Sequence, residues 1–156
     1  MTIDELLGLF DPKLCIFGLE ARTRDEVLEE IAELVAADPE SHHRQIILDM
    51  LRNREALGST AVSKGIAFPH GRSLAVSRLM AIFARSEPGI AFGAQDGEPT
   101  HLFFVLLAPP HDRSNRYLPA LGKIIELVRE DSMREKLMQV ASFDEFTALM
   151  REGRTS

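Results

Sequence analysis

Leu102-Phe103-Phe104-Val105-Leu106-Leu107-Ala108 is apolar without a break. A strand with one wet face alternates apolar and polar residues, whereas a strand covered on both faces has no reason to. The run therefore predicts a central strand with other elements packed on both sides of it. Turn chemistry bounds it: Phe92-Gly93-Ala94-Gln95-Asp96-Gly97-Glu98-Pro99 precedes it, with Asp96-Gly97 a hairpin signal, and Pro109-Pro110-His111-Asp112 follows it. His101, at its start, reads as a satisfied strand-end residue.

Working outward, residues 78–86 form a second strand candidate, which Glu87-Pro88-Gly89 is expected to break. Thr2 with Glu5 has the form of a capping box ahead of a short first helix, stopped by Asp11-Pro12. Residues 14–19 read as a strand. Thr23 or Asp25 then caps a helix in which Val27, Leu28, Ile31, Leu34 and Val35 recur at helical spacing. Pro39 ends that helix and can start the next, since proline is tolerated in a first turn; Ile46, Ile47, Met50 and Leu51 supply its stripe, to about Asn53. His42 and His43 are neighbours about 100° apart on a helix, so they cannot chelate one ion together and are read as surface residues. Toward the other end, Leu118, Leu121, Ile124, Ile125 and Val128 form a helical stripe. Two shorter helices follow, one over about 132–140 and one capped by Ser142 with Glu145, and the tail 153–156 is expected to fray. The fold class expected is α/β, a mixed β-sheet sandwiched between helices in a single layered domain spanning 1–156.

The chain has 156 residues, 45% of them hydrophobic and 27% charged, which suits one well-packed globular domain. No apolar run approaches the ~20 residues that span a bilayer, and the N-terminus lacks the pattern of a signal peptide, so a cytoplasmic location without membrane insertion is expected. Cys15 is alone. It can form no intramolecular disulfide and no cysteine-rich metal site, and between Leu14 and Ile16 it reads as a buried structural thiol. No metal site and no cofactor are expected. A net charge of −6 disfavours nucleic acid as a partner. From position 52 to 78, however, Arg52, Arg54, Lys64, Arg72 and Arg78 face one acid, Glu55. A locally positive site on an acidic body suits a small anion or an acidic partner.

Within that positive span, residues 54–72 crowd reactive side chains into a run too glycine-rich for core packing alone. Pro69 fixes its own φ near −65° and biases Phe68 toward extended geometry, while Gly71 lets another group come close behind His70. A short strand or extended pair is expected within 59–67, and 71–76 reads as either a helical turn or a loop. Backbone N–H groups from Gly71 onward can form an anion nest or a helix N-terminus. Arg54 carries a fork of donors suited to a phosphoryl group, and Ser59 and Thr60 add hydroxyls. A neutral imidazole nitrogen to attack phosphorus, with fixed positive dipoles to hold the transferred oxygens, is what a transient phosphohistidine requires. The P-loop spacing is absent, as is the glycine-flanked serine elbow of hydrolases.

The string Arg54-Glu55-x-Leu57-Gly58-Ser59-Thr60, a short gap, then Gly65-Ile66-Ala67-x-Pro69-His70-Gly71 resembles the signature of the fructose/mannitol-type enzyme IIA domains of the bacterial phosphoenolpyruvate:sugar phosphotransferase system. Residues 92–99 with the following strand, and Leu118-Pro119-Ala120-Leu121, resemble the corresponding family segments, so the likeness covers essentially the whole chain. The resemblance implies a mixed sheet between helices, and a phosphotransferase component in which His70 takes a phosphoryl group from a small carrier of the HPr type. It also implies that Arg54 stabilises that group while Ser59 and Thr60 shape the pocket. Family members use Nε2 of this histidine; the spacing itself selects neither nitrogen. Two departures stand out. The second histidine of sugar-specific members aligns with Tyr117, so His111, six residues earlier, is the histidine that can approach the site instead. The usual Gly-Ile-Gly after the Ser-Thr pair is Ala61-Val62-Ser63, which stiffens that loop.

Standing alone at this length, the chain is most like the nitrogen-regulatory enzyme IIA, a phosphoprotein whose state is read by partner proteins. The alternatives are a sugar-specific IIA that passes the phosphoryl group to a separate IIB protein, and a binding module that is never phosphorylated.

Overall fold

The computed structural model describes residues 1–41 and 43–153. His42 and residues 154–156, and with them the surface reading of His42 and the fraying of the tail beyond Gly153, lie outside the described residues. His43 is exposed.

Among the described residues six helices surround five strands: α1 (Ile3–Leu7), β1 (Cys15–Ile16), α2 (Arg24–Ala36), α3 (Arg44–Ala56), β2 (Ile66–Ala67), β3 (His70–Arg72), β4 (Met80–Ile90), β5 (Thr100–Ala108), α4 (Tyr117–Val128), α5 (Asp131–Leu137) and α6 (Phe143–Gly153). The sheet runs β1-β4-β5-β2, with β3 also on β5; β4 and β5 pair antiparallel and the other pairs are parallel. The expected mixed sheet between helices is what the chain adopts. Its apolar central strand has the predicted cause: Leu102, Phe104, Leu106 and Ala108 point into one core with α1, α4, α5 and α6, while Phe103, Val105 and Leu107 point into the other with α2 and α3. Phe83, Phe104 and Phe146 stack at the centre of the first core, Phe83 and Phe146 with ring centroids 4.7 Å apart. Each such buried ring contributes about 1.5–3 kcal/mol.

β2 and β3 share one register on β5. Ile66 pairs with Leu102 and His70 with Leu106, the same offset, and Leu106 N–H donates to Pro69 O between them. They are one edge strand interrupted at Phe68-Pro69. The outer side of that edge is covered by the chain returning from α3, where Phe68 N–H donates to Thr60 O and Val62 N–H to Ile66 O. The expected extended pair within 59–67 is this return.

Several sequence expectations are corrected. The strand over 14–19 shrinks to β1, because Asp11 caps a 3-10 turn over Pro12–Leu14 that consumes its start. Thr23, with Glu26, forms the full capping box of α2. Pro39 ends α2 without starting α3, since Asp38 accepts from Glu40 N–H in a local turn and α3 begins only at Arg44. That helix continues past Asn53 to Ala56 and buries Ile47, Leu48 and Leu51, leaving Ile46 half-exposed. Glu87-Pro88-Gly89 does not break β4: the register shifts between Arg85 and Ile90, Gly89 at φ 84° absorbs the extra length, and Ser86 Oγ accepts from its N–H. The 71–76 stretch opens as β3 and not as a helical turn. In α4 the buried face is Tyr117, Ala120, Ile124, Leu127 and Val128, rotated from the expected stripe so that Leu118 is exposed. His101 is satisfied as expected, its Nδ1 bonded to Ser86 O and Glu87 O.

Cys15 is partly buried, and burial pushes its thiol up to about 11. The thiolate is the nucleophile. Native protein at pH 8 is therefore expected to resist iodoacetamide and to be alkylated fully once unfolded in urea, as mass spectrometry would show; rapid native alkylation would contradict the buried placement.

Candidate functional site

His70 is the first residue of β3, where the edge strand resumes after Pro69. Its Nδ1 lies 2.7 Å from Phe68 O. A carbonyl oxygen only accepts, so Nδ1 carries the proton, and in the neutral ring the lone pair is on Nε2. The same Phe68 peptide is anchored at its other end by the N–H donated to Thr60 O, 3.0 Å away. The His70 residue is half-buried.

Residues alternate across a strand. His70 and Arg72 therefore share one face of β3, and Gly71 presents the opposite one. A Cβ on Gly71 would overlap Met50 Sδ of α3, the helix that carries Arg54. The glycine has a packing reason: it seats α3 against the edge strand, and its N–H belongs to a parallel ladder, not to an anion nest. Gly71→Ala is expected to cost about 1–2 kcal/mol, near the low end for overpacking because the methionine can turn aside. Urea unfolding would check this, and adding Met50→Ala should recover part of the loss.

Arg54 sits in the last turn of α3 and donates from Nη1 to Gly58 O at 2.9 Å. Tyr117 opens α4; its buried ring meets His70 edge-on at 6.3 Å between centroids. The Arg72 guanidinium carbon lies 4.5 Å from the centre of the Tyr117 ring, and Arg72 Nη1 donates to Pro109 O at 3.2 Å. Burial holds the Tyr117 phenol above its ordinary range, and the charges of Arg72 and Arg54 oppose that shift. His111 is exposed in the loop after β5, and it is Tyr117 that meets the His70 ring.

Ser59 and Thr60 turn their hydroxyl protons inward. Ser59 Oγ donates to Phe92 O, and Thr60 Oγ1 donates to Glu55, a carboxylate only 5% exposed. Glu55 also accepts from Thr60 N–H at 3.1 Å and pairs with Arg24 at 2.9 Å, while Arg24 lies over the Phe92 ring. In this conformation the two hydroxyls bind the loop to the body instead of pointing donors at His70. Sequence reasoning counted Arg72 and Glu55 among the charges of the positive span without giving either a role, and it missed Arg24. Only Arg72 left a usable signal, the strand alternation that pairs it with His70 once β3 is recognised.

An imidazole held through its Nδ1–H, with the Nε2 lone pair left over and Arg72 on the same strand face, can take up a phosphoryl-sized anion. That chemistry sits on a mixed sheet covered by helices. Residues 8–153 match the family described as "Phosphoenolpyruvate-dependent sugar phosphotransferase system, EIIA 2". The chain belongs to this family. It is 33% identical over 137 residues to the nitrogen regulatory protein of Bradyrhizobium diazoefficiens, covering 88% of this chain and 86% of that one. It is 30% identical over 144 residues to the fructose-specific EIIABC component of Bacillus subtilis, covering 92% of this chain but only 22% of that protein's length. Among solved structures, nitrogen regulatory protein IIA-Ntr of Neisseria meningitidis superimposes with a TM-score of 0.85 at 29% identity, over 94% of this chain and 99% of that one. Among the described residues no helix is long and apolar enough to cross a membrane.

Proposed function

We propose that this chain is a phosphoryl-carrier regulatory protein of a nitrogen-related phosphotransferase system, a single domain over 1–156 that works in the cytoplasm. It accepts a phosphoryl group on Nε2 of His70 from an HPr-like phosphocarrier and presents its phosphorylation state to partner proteins. The observation that carries this reading is the Nδ1–H bond to Phe68 O, which holds the ring in the tautomer whose Nε2 is the nucleophile.

In the transfer, the Nε2 lone pair forms a new N–P bond as the N–P bond of the donor breaks. The bonding pair stays on the donor imidazole, which leaves neutral because its other nitrogen keeps a proton. Positive charge grows on the His70 ring, and its Nδ1–H bond to the carbonyl strengthens as it becomes charge-assisted. The transition state is loose, so positioning and fixed positive charge do most of the work. Arg54, on the end of α3, supplies charge to the phosphoryl oxygens; Ser59 and Thr60 hold the loop that Arg54 caps at Gly58. Exposed leucines flank these residues in sequence, Leu57 at 86%, Leu74 at 89% and Leu118 at 71%. Exposed apolar side chains so near the site residues in sequence suit a protein donor better than a small free phosphate.

Regulation in place of sugar transfer is supported by nitrogen regulatory relatives matched over most of their length, such as that of B. diazoefficiens. The sugar-specific reading, donation to a separate IIB protein, is favoured by a fructose-specific EIIA component of Haloferax volcanii, 32% identical and covered over 84% of its length. Incubation with phosphoenolpyruvate, enzyme I and carrier is expected to place acid-labile phosphate on the protein; absence of label with matched carriers sinks the proposal in favour of a non-phosphorylated binding module. Adding candidate IIB proteins to labelled protein separates the remaining two, since a regulator keeps its label and a sugar-specific IIA gives it up.

A further inference from the structure

Five arginines pair with carboxylates: Arg24 with Glu55, Arg52 with Asp25 and Glu29, Arg78 with Asp38 and Glu40, Arg134 with Asp131, and Arg151 with Asp4. Arg22 and Arg85 instead give several donors each to backbone carbonyls, at 2.5–3.4 Å. Arg72 has one such bond and lies on the His70 face of β3. Its hydrogen bond goes to the Pro109 carbonyl and its planar face to the Tyr117 ring. A guanidinium has five N–H donors, and a single carbonyl bond leaves most of them available. Stacking does not use them, because ring contact engages the face and the N–H groups lie in the plane.

The position of this charge follows from the strand. His70 and Arg72 are two residues apart on one face of β3, about 6.6 Å along the strand. Tyr117 joins the two, its ring 6.3 Å from the imidazole between centroids and lying 4.5 Å from the guanidinium carbon. Arg54 lies in the last turn of α3, the helix whose Met50 packs against Gly71 of β3. β3 and α4 therefore meet beside His70, and Arg54 is carried by the helix packed on the same strand.

We infer that Arg72 is a second guanidinium of the phosphoryl site, held over His70 by its stack on Tyr117, so that phosphohistidine is gripped by Arg54 from one side and Arg72 from the other. This inference rests on phosphorylation of His70 as proposed above. Arg72 binds the phosphoryl oxygens directly; Tyr117 is a positioning residue that acts through its ring face. The consequence is a phosphorylated state favoured at equilibrium and slow to hydrolyse, as suits a state that partners must read.

The test compares wild type with Arg72→Gln, Arg72→Lys and Tyr117→Phe. Glutamine can still donate to the Pro109 carbonyl, so it removes the charge while keeping the local tether. With a fixed ratio of phosphorylated to free carrier, Arg72→Gln is expected to lower the phosphorylated-to-free ratio of the protein about tenfold, the scale of one charge-assisted hydrogen bond. In the 31P NMR titration of the phosphohistidine, a nearby guanidinium favours the dianion, so Arg72→Gln should raise the apparent pKa of the phosphoryl group. Arg72→Lys should restore part of both effects through charge alone, and Tyr117→Phe, which keeps the ring, should shift both less than Arg72→Gln does. A merely structural arginine would leave the 31P titration unmoved. Wild-type equilibrium and titration in Arg72→Gln overturn the inference while leaving His70 phosphorylation standing, and a Tyr117→Phe defect as large as that of Arg72→Gln overturns the stacking role. Failure of wild type itself to label overturns the underlying reading, and this inference with it.

Discussion

His70→Ala is expected to lose acid-labile phosphate entirely, with incorporation down by at least about three orders of magnitude, as when a covalent nucleophile is removed. The reason is geometric. His101 has its Nδ1 committed to Ser86 O and Glu87 O at the far end of β5, and His111 sits exposed in the loop after that strand. Neither has the Phe68 carbonyl that selects the tautomer, nor an arginine two residues on along the same strand face. Because the His70 ring is half-buried and its own hydrogen bond is local, the alanine variant should fold, with a circular-dichroism melt close to that of wild type. Mass spectrometry at neutral and acid pH after incubation with the donor system checks the result. Label surviving in a folded His70→Ala protein would move the nucleophile elsewhere.

Glu55→Ala should give the largest loss of stability among these substitutions. The carboxylate is almost fully buried and accepts from the Thr60 hydroxyl, from Thr60 N–H and from Arg24. Its removal strands the two Thr60 donors away from water, each costing about 1–3 kcal/mol. Arg24 is about one-third exposed and can turn to solvent, so its loss counts for less. A total near 3 kcal/mol corresponds to a melting temperature roughly 6–12 °C lower in a domain of this size. The same change loosens Thr60, whose carbonyl holds the Phe68 peptide under His70. Glu55→Ala should therefore also slow phosphorylation, whereas Leu57→Ala, on the exposed surface just beyond α3, should leave the melting temperature unchanged. A Glu55→Ala protein as stable as wild type would show that the buried carboxylate was compensated by nothing specific.

The layered fold was legible because its strongest signal, the unbroken apolar run of β5, has one physical meaning, burial on both faces. Helix starts were legible where caps use side chains, as at Thr2, Thr23 and Ser142. Persistence of β4 through Pro88 was not, because a bulge stores its cause in a long-range close approach, Gly89 beneath His101. At the site, the Pro-His-Gly string announced a stiffly held imidazole. Glu55 was hidden: an acid in a basic run reads as a solvated charge until Arg24, thirty-one residues away, is folded against it. Ser59 and Thr60 had the right chemistry for an anion, and only the structure shows those hydroxyls facing the other way. The departure at Tyr117 was visible as a missing histidine, but what the tyrosine supplies depends on Arg72 lying across its ring.

The group that orients His70 is a backbone carbonyl. An imidazole oriented by an aspartate can be put into the wrong tautomer by one substitution, and its partner can be protonated away. The Phe68 carbonyl has no side chain to lose and no proton to gain: every residue at position 68 brings the same oxygen. On the proposed reading, sequence drift around His70 can alter how fast phosphate arrives or how long it stays, while the ring nitrogen left for attack is set by an oxygen that no substitution removes.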